Sequence, residues 1–151
     1  MITLTLSRYY GSPNITKSHL TIDKDGTTLL KCEARELGYR DYTEPFRGSS
    51  KVCMPAGTHA LRMSTDIDTL VCLAVVRGGV HRGDKLLTFS NKQKRKGYIL
   101  LGYADKEDPN KRHLIPSSEL IEEYESLLLH NLDQEYQLIV TNDKLKQMAL
   151  K

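Results

Sequence analysis

A thiol held beside an imidazole is the simplest pairing in this sequence that could break an acyl bond. The chain has three cysteines and five histidines from which to build one. A working thiolate needs partial exposure, a nearby positive charge and a base. Cys72 stands among Leu70, Val71, Leu73 and Ala74, an apolar setting that favours the neutral thiol, so it is read as core. Cys53, ahead of Met54 and Pro55, is expected to be packed as well. With Cys32 the count is odd and no C-x-x-C pair occurs, which argues against both a disulfide framework and a zinc site. His19, His59, His81, His113 and His130 include no two at metal-ligand spacing. Each is expected to be a surface or hydrogen-bonded histidine. His81-Arg82-Gly83-Asp84 follows Gly78-Gly79 and reads as a turn. Two carboxylate pairs, Glu33 with Glu36 and Asp66 with Asp68, lie close in sequence. Nothing around either raises it to an acid–base pair.

The strongest electrostatic feature is Lys92-Gln93-Lys94-Arg95-Lys96. On a hairpin tip such a run, Lys94 and Arg95 above all, could hold phosphates without reading sequence. No aromatic residue is interleaved for base stacking, so a solvated charge run is the preferred reading over nucleic-acid binding. Neither G-x-x-x-x-G-K-[ST] nor G-x-G-x-x-G is present, so no cofactor is expected.

The elements that would position these residues are mostly strands. Ile2, Leu4 and Leu6 alternate with Thr3, Thr5 and Ser7, the period of a half-buried strand. Leu20 and Ile22 suggest a second strand, Asp23-Lys24-Asp25-Gly26 a tight turn, and Thr28 to Ala34 an antiparallel return. Residues 35–52 lose this period and read as a long excursion anchored by Tyr39, Tyr42 and Phe46. Thr58 to Met63 is a further strand, and Leu70 to Val76 a central one covered on both faces. Lys85 to Phe89 and Tyr98 to Tyr103 read as two strands joined by the basic run as a hairpin. Ser117 or Ser118 can cap a helix over about 117–130, whose apolar face is Leu120, Tyr124, Leu127 and Leu128. Tyr136, Leu138 and Val140 alternate as a last strand. The spacing predicts a single α+β domain over 1–151, mostly β: a curved antiparallel sheet or partly closed barrel with one principal helix.

At 151 residues the chain can bury a core without staples. Apolar residues make up 39% and charged ones 27%, a globular balance, and the formal charge of +3 does not by itself demand an anionic partner. The opening residues lack the basic-then-apolar pattern of a signal peptide, and the longest apolar run is too short to span a bilayer. A reducing, cytoplasmic setting without membrane contact is expected.

The order of segments resembles a small domain-of-unknown-function family of phages and prophages. The resemblance runs over nearly the whole chain: a first strand Leu4-Thr5-Leu6-Ser7-Arg8, then Leu20-Thr21-Ile22-Asp23, Cys32-Glu33-Ala34-Arg35-Glu36 and Cys53-Met54-Pro55-Ala56-Gly57-Thr58-His59. The family's I-H-x-G-N core is matched by Leu87-Thr88-Phe89-Ser90-Asn91, and its G-C-I-L-x-G element by Gly97-Tyr98-Ile99-Leu100-Leu101-Gly102. In typical members that histidine and cysteine are similar to the catalytic pair of L,D-transpeptidase-like domains, in which the cysteine attacks a peptidoglycan peptide carbonyl. Here Thr88 stands for the histidine and Tyr98 for the cysteine, with one residue fewer between the two elements. A threonine is no base near neutral pH, and a phenol of pKa about 10 is a poor acyl acceptor. The resemblance therefore implies a non-catalytic binding protein on a degenerate scaffold. Its pocket would be rimmed by Thr88, Asn91 and Tyr98, and its ligand would be a peptide or protein. Two alternatives stand beside it: a cysteine-dependent peptidoglycan hydrolase or transpeptidase using Cys53 or Cys72 with His59 or His81, and an anionic-partner binder acting through Lys92 to Lys96.

Overall fold

The computed structural model describes residues 1–13, 15–36, 38, 53–64, 71–76, 85–89, 98–103, 114–115 and 117–145. Its strands are β1 (Ile2–Gly11), β2 (Thr16–Lys24), β3 (Thr27–Glu36), β4 (Gly57–Ser64), β5 (Cys72–Val75), β6 (Lys85–Thr88), β7 (Ile99–Gly102) and β8 (Tyr136–Thr141). A helix, α1 (Ser118–Leu129), precedes β8. The strands close into an eight-stranded barrel in the order β1-β2-β3-β7-β6-β5-β4-β8. A barrel of that size leaves an interior wide enough for side chains to fill.

The opening meander forms as the alternation predicts. β1 runs antiparallel to β2 and β2 to β3. The turn between them has Asp25 and Gly26 both at positive φ, the geometry that a two-residue hairpin turn demands. Along β1 the even-numbered residues Ile2 to Arg8 are buried and the odd ones half-exposed. The sheet then closes in a way that alternation alone does not announce. β8 pairs parallel with β1, Ile2 opposite Tyr136, and antiparallel with β4 on its other side.

The expected hairpin of β6 and β7 is corrected by the register. The two strands are neighbours but parallel, with Leu87 opposite Ile99 and Thr88 opposite Leu100. A hairpin reverses the chain, so two parallel strands must be joined by a connection that crosses back. The segment between Thr88 and Tyr98 is longer than the two to five residues of an ordinary hairpin loop. The directions of both strands are instead set by antiparallel pairing to other neighbours, β6 to β5 and β7 to β3.

Helix α1 begins at the predicted cap: Ser117 is extended, and its hydroxyl accepts from the Leu120 N–H. Leu120, Tyr124 and Leu128 are its buried stripe. The Tyr124 hydroxyl accepts from the Leu73 N–H at 3.1 Å and donates to the Leu87 carbonyl at 2.9 Å. Leu73 and Leu87 are register partners on β5 and β6, so the phenol sits as a bridge within the ladder between them. Burial pushes its pKa well up, which keeps the bridging proton in place. No helix among the described residues is long and apolar enough to cross a membrane.

Candidate functional site

Two of the residues that the sequence offers as a pocket, Thr88 and Tyr98, are brought to neighbouring strands but not to an open rim. Thr88 ends β6 and is 0% exposed. Tyr98 immediately precedes β7, is 9% exposed and belongs to the hydrophobic core. The physical reason lies in the strands themselves. β5 and β7 are buried at every position, as are Leu86, Leu87 and Thr88 of β6, so a side chain there is enclosed whichever face it takes. Asn91, Lys94 and Arg95 lie outside the described residues, as do the Tyr39 to Phe46 excursion, His81, His113 and the Asp66–Asp68 pair.

The three thiols are enclosed too. Cys32 is pushed up to about 12, chiefly by burial, with the Glu33 charge adding and a backbone hydrogen bond from Gly102 opposing. Cys53 and Cys72 are buried in the core region. A nucleophile needs the opposite, a depressed pKa and a path to solvent. His59, the described imidazole nearest to Cys53 in sequence, has Nε2 engaged with the Pro55 carbonyl at 2.8 Å.

Two groupings of charged side chains are assembled by the meander. The first is internal. Arg8 continues the inward face of β1 and is fully buried, and Glu36 continues the inward face of β3. Arg8 Nε and Nη2 donate to Glu36 at 3.0–3.1 Å, and Nη1 donates to Asn142 Oδ1 at 3.3 Å. Nη2 also reaches the Met54 carbonyl, while the Met54 N–H donates to Glu36 Oε2 at 2.8 Å. Each charge is compensated and hydrogen-bonded, which a buried pair requires. The pair fastens Met54, at the end of the long excursion, to the mouth of the barrel.

The second grouping is on the outer face of β1–β3. A β-bulge between Arg8 and Tyr10 frees Tyr9 from the ladder. Bulges re-aim side chains, and here the Tyr9 hydroxyl donates to Glu33 Oε1 at 2.6 Å. The other Glu33 oxygen pairs with His19 Nδ1. The Tyr9 and His19 rings stack at 4.4 Å, and Arg35 Nη1 lies 3.5 Å from Glu33. Burial, then the hydrogen bond to the Glu33 carboxylate, raise the Tyr9 phenol to about 12. It remains a proton donor and gives no phenolate near neutral pH. Glu33 and Glu36, three positions apart in sequence, thus point to opposite sides of the barrel wall and do not form a carboxylate pair.

A third feature is a shallow groove of about 590 Å³ between α1 and β3, lined by Leu29, Glu119, Glu122, Glu123, Ser126, Leu127, His130 and Asn131. Among the described residues, no three His, Cys, Asp or Glu side chains come together as metal ligands.

Arg8 and Glu36 were detectable in the sequence, had the inward period been continued: a charge at a core-facing strand position requires a buried partner. The outer cluster had no such signal, because the bulge that turns Tyr9 leaves no mark in the pattern. Comparisons with protein-family models, curated proteins and solved structures give no significant match.

Proposed function

We propose that this chain is a non-catalytic binding domain of a phage or mobile-element-type family, on an L,D-transpeptidase-like scaffold that has lost its reaction. What supports this reading is the residue types at the two positions that the resemblance assigns to base and nucleophile, Thr88 and Tyr98; their burial speaks against the binding rim expected of them and moves recognition elsewhere. A threonine with no titratable proton near neutral pH and a phenol packed in the core supply neither half of an acyl transfer. The relocated-thiol alternative is weakened by the same kind of fact, because Cys32, Cys53 and Cys72 are all buried. Among the described residues, the groups left for recognition are those that reach solvent on the outer face of β1–β3 and along α1.

The test is an acyl-exchange assay on the unmodified protein. The donor is a peptidoglycan-type tetrapeptide ending in D-Ala, and the acceptor a fluorescent D-amino acid. Exchange at the buffer rate is expected, together with thiols that stay unlabelled by an aromatic disulfide reagent until the protein is unfolded. Exchange above background, or labelling of the native protein in step with lost exchange, would overturn the reading.

A further inference from the structure

The groove beside α1 has a composition that the fold does not use. Glu119, Glu122, Glu123, Ser126, Leu127, His130 and Asn131 recur at three- and four-residue spacing, so they form one stripe running the length of the helix. It lies beside the buried stripe of Leu120, Tyr124 and Leu128 and faces Leu29 of β3. Helix stability accounts for part of this. Glu119 sits in the first turn, where the helix dipole favours a carboxylate. Glu122 and Glu123 lie beyond it, where that benefit has faded. Both are exposed, and neither forms an ion pair among the described residues. The cation at the far end of the stripe is already engaged: Lys24 Nζ donates to Asn131 Oδ1 at 2.8 Å.

The other half of the composition is apolar. Leu29 is 42% exposed on the opposite wall, and Leu127 is only partly buried. A trough with an apolar floor and a carboxylate rim complements a cationic, apolar-bearing segment. Lysine or arginine heads would meet Glu122 and Glu123, while a leucine-sized side chain and the methylene stems would cover Leu29 and Leu127. The chain as a whole is positive, so overall charge does not draw such a partner. The attraction must come from this stripe, and it must be sensitive to salt.

We infer that the α1–β3 groove binds a basic peptide segment in which lysines or arginines flank a leucine-like residue. This names a partner class for the binding reading above and rests on it.

The probe is a fluorescein-labelled Lys-Leu-Lys-Lys-Leu-Lys-Lys-Leu-Lys peptide followed by anisotropy at low and physiological salt. Its counterpart carries serine at each leucine. Binding of the leucine probe by the full chain is expected, weakening by about tenfold in Glu122→Gln/Glu123→Gln, as the loss of two exposed ion pairs implies. A similar loss is expected for Leu29→Asn and for the serine probe, whereas Asp143→Asn, in the turn after β8, should bind as the parent does. All four substitutions are at exposed positions, and circular dichroism checks that each variant is folded. Equal binding by parent and groove variants would overturn the inference, and so would equal binding of the two probes. A parent that sediments as a dimer, with the double glutamate variant a monomer and the peptide unbound, would overturn it in favour of a second copy of the chain. Acyl exchange by the parent would remove the underlying reading while leaving the peptide result to stand or fall by itself.

Discussion

β1 and β8 bury every second side chain, while β5 and β7 bury all of theirs. Both regions are wall segments of one barrel, yet they offer different chemistry. In the alternating wall a residue's parity decides which face it takes. Glu33 faces out to Tyr9 and His19, and Glu36, three positions later, faces in to Arg8. In the uniformly buried wall parity decides nothing, and polar residues such as Thr88 are enclosed with the apolar ones. A polar residue placed there is packed away from solvent. One on the outward parity of the meander stays partly open to solvent.

The comparison breaks most visibly if Arg8 is removed. Arg8→Ala leaves the Glu36 carboxylate buried with its main partner gone, an expected loss of about 3–5 kcal/mol in urea unfolding. Arg8→Met with Glu36→Leu should recover most of that, since an apolar pair of similar volume suits the same interior. If the single substitution costs less than about 1 kcal/mol, the inward face of the meander is not closed in the way described. Tyr124→Phe probes the other wall. It orphans the Leu73 N–H and the Leu87 carbonyl, with an expected cost of about 2 kcal/mol by the same measurement.

A smaller effect should appear with alkali. Cys32 titrates near 9 when unfolded and at about 12 in the fold. Above pH 9 the unfolded chain therefore loses a proton that the native one keeps, and stability falls as pH rises from 9 toward 12. The raised Tyr9 and Tyr136 phenols, each at about 12, act in the same direction above pH 10. Unfolding midpoints measured from pH 8 to 10 should decline less steeply in Cys32→Ala. The smallest expected change belongs to the outer cluster. Glu33→Gln keeps an acceptor for the Tyr9 hydroxyl but loses the charge beside the buried Arg35 and the largely exposed His19, and should cost about 1 kcal/mol. A much larger loss would mean that the outer face of the meander serves the fold rather than recognition.

Much of this architecture is legible in the sequence, for identifiable reasons. The alternation of Ile2, Leu4 and Leu6, the Asp25-Gly26 turn and the Ser117 cap are local signals, and the structure places β1, the β2–β3 hairpin and α1 where they point. The continuous run Leu70 to Val76 announces a strand covered on both faces, as β5 is. Partner choice was hidden. Nothing local tells β8 to lie parallel to β1 or β6 to lie parallel to β7, because parallel pairing joins segments that no turn connects. Site residues divide along the same line. The types of Thr88 and Tyr98 are plain in the sequence, but their depth is not, since depth follows from which strands flank them. The groove was half legible: Glu119, Glu122 and Glu123 are plain in the helix, while Leu29 on its far wall arrives through the fold.

The pairing of β1 with β8 has a further consequence for how such a chain is made. Arg8 meets Asn142 across 134 positions, so a growing polypeptide can assemble its first hairpins long before their final neighbour leaves the ribosome. Until then β1 and β4 each offer an unsatisfied edge to any passing strand. A cell producing this protein must keep those two edges apart from other nascent chains until residues 136–141 arrive to seal the seam.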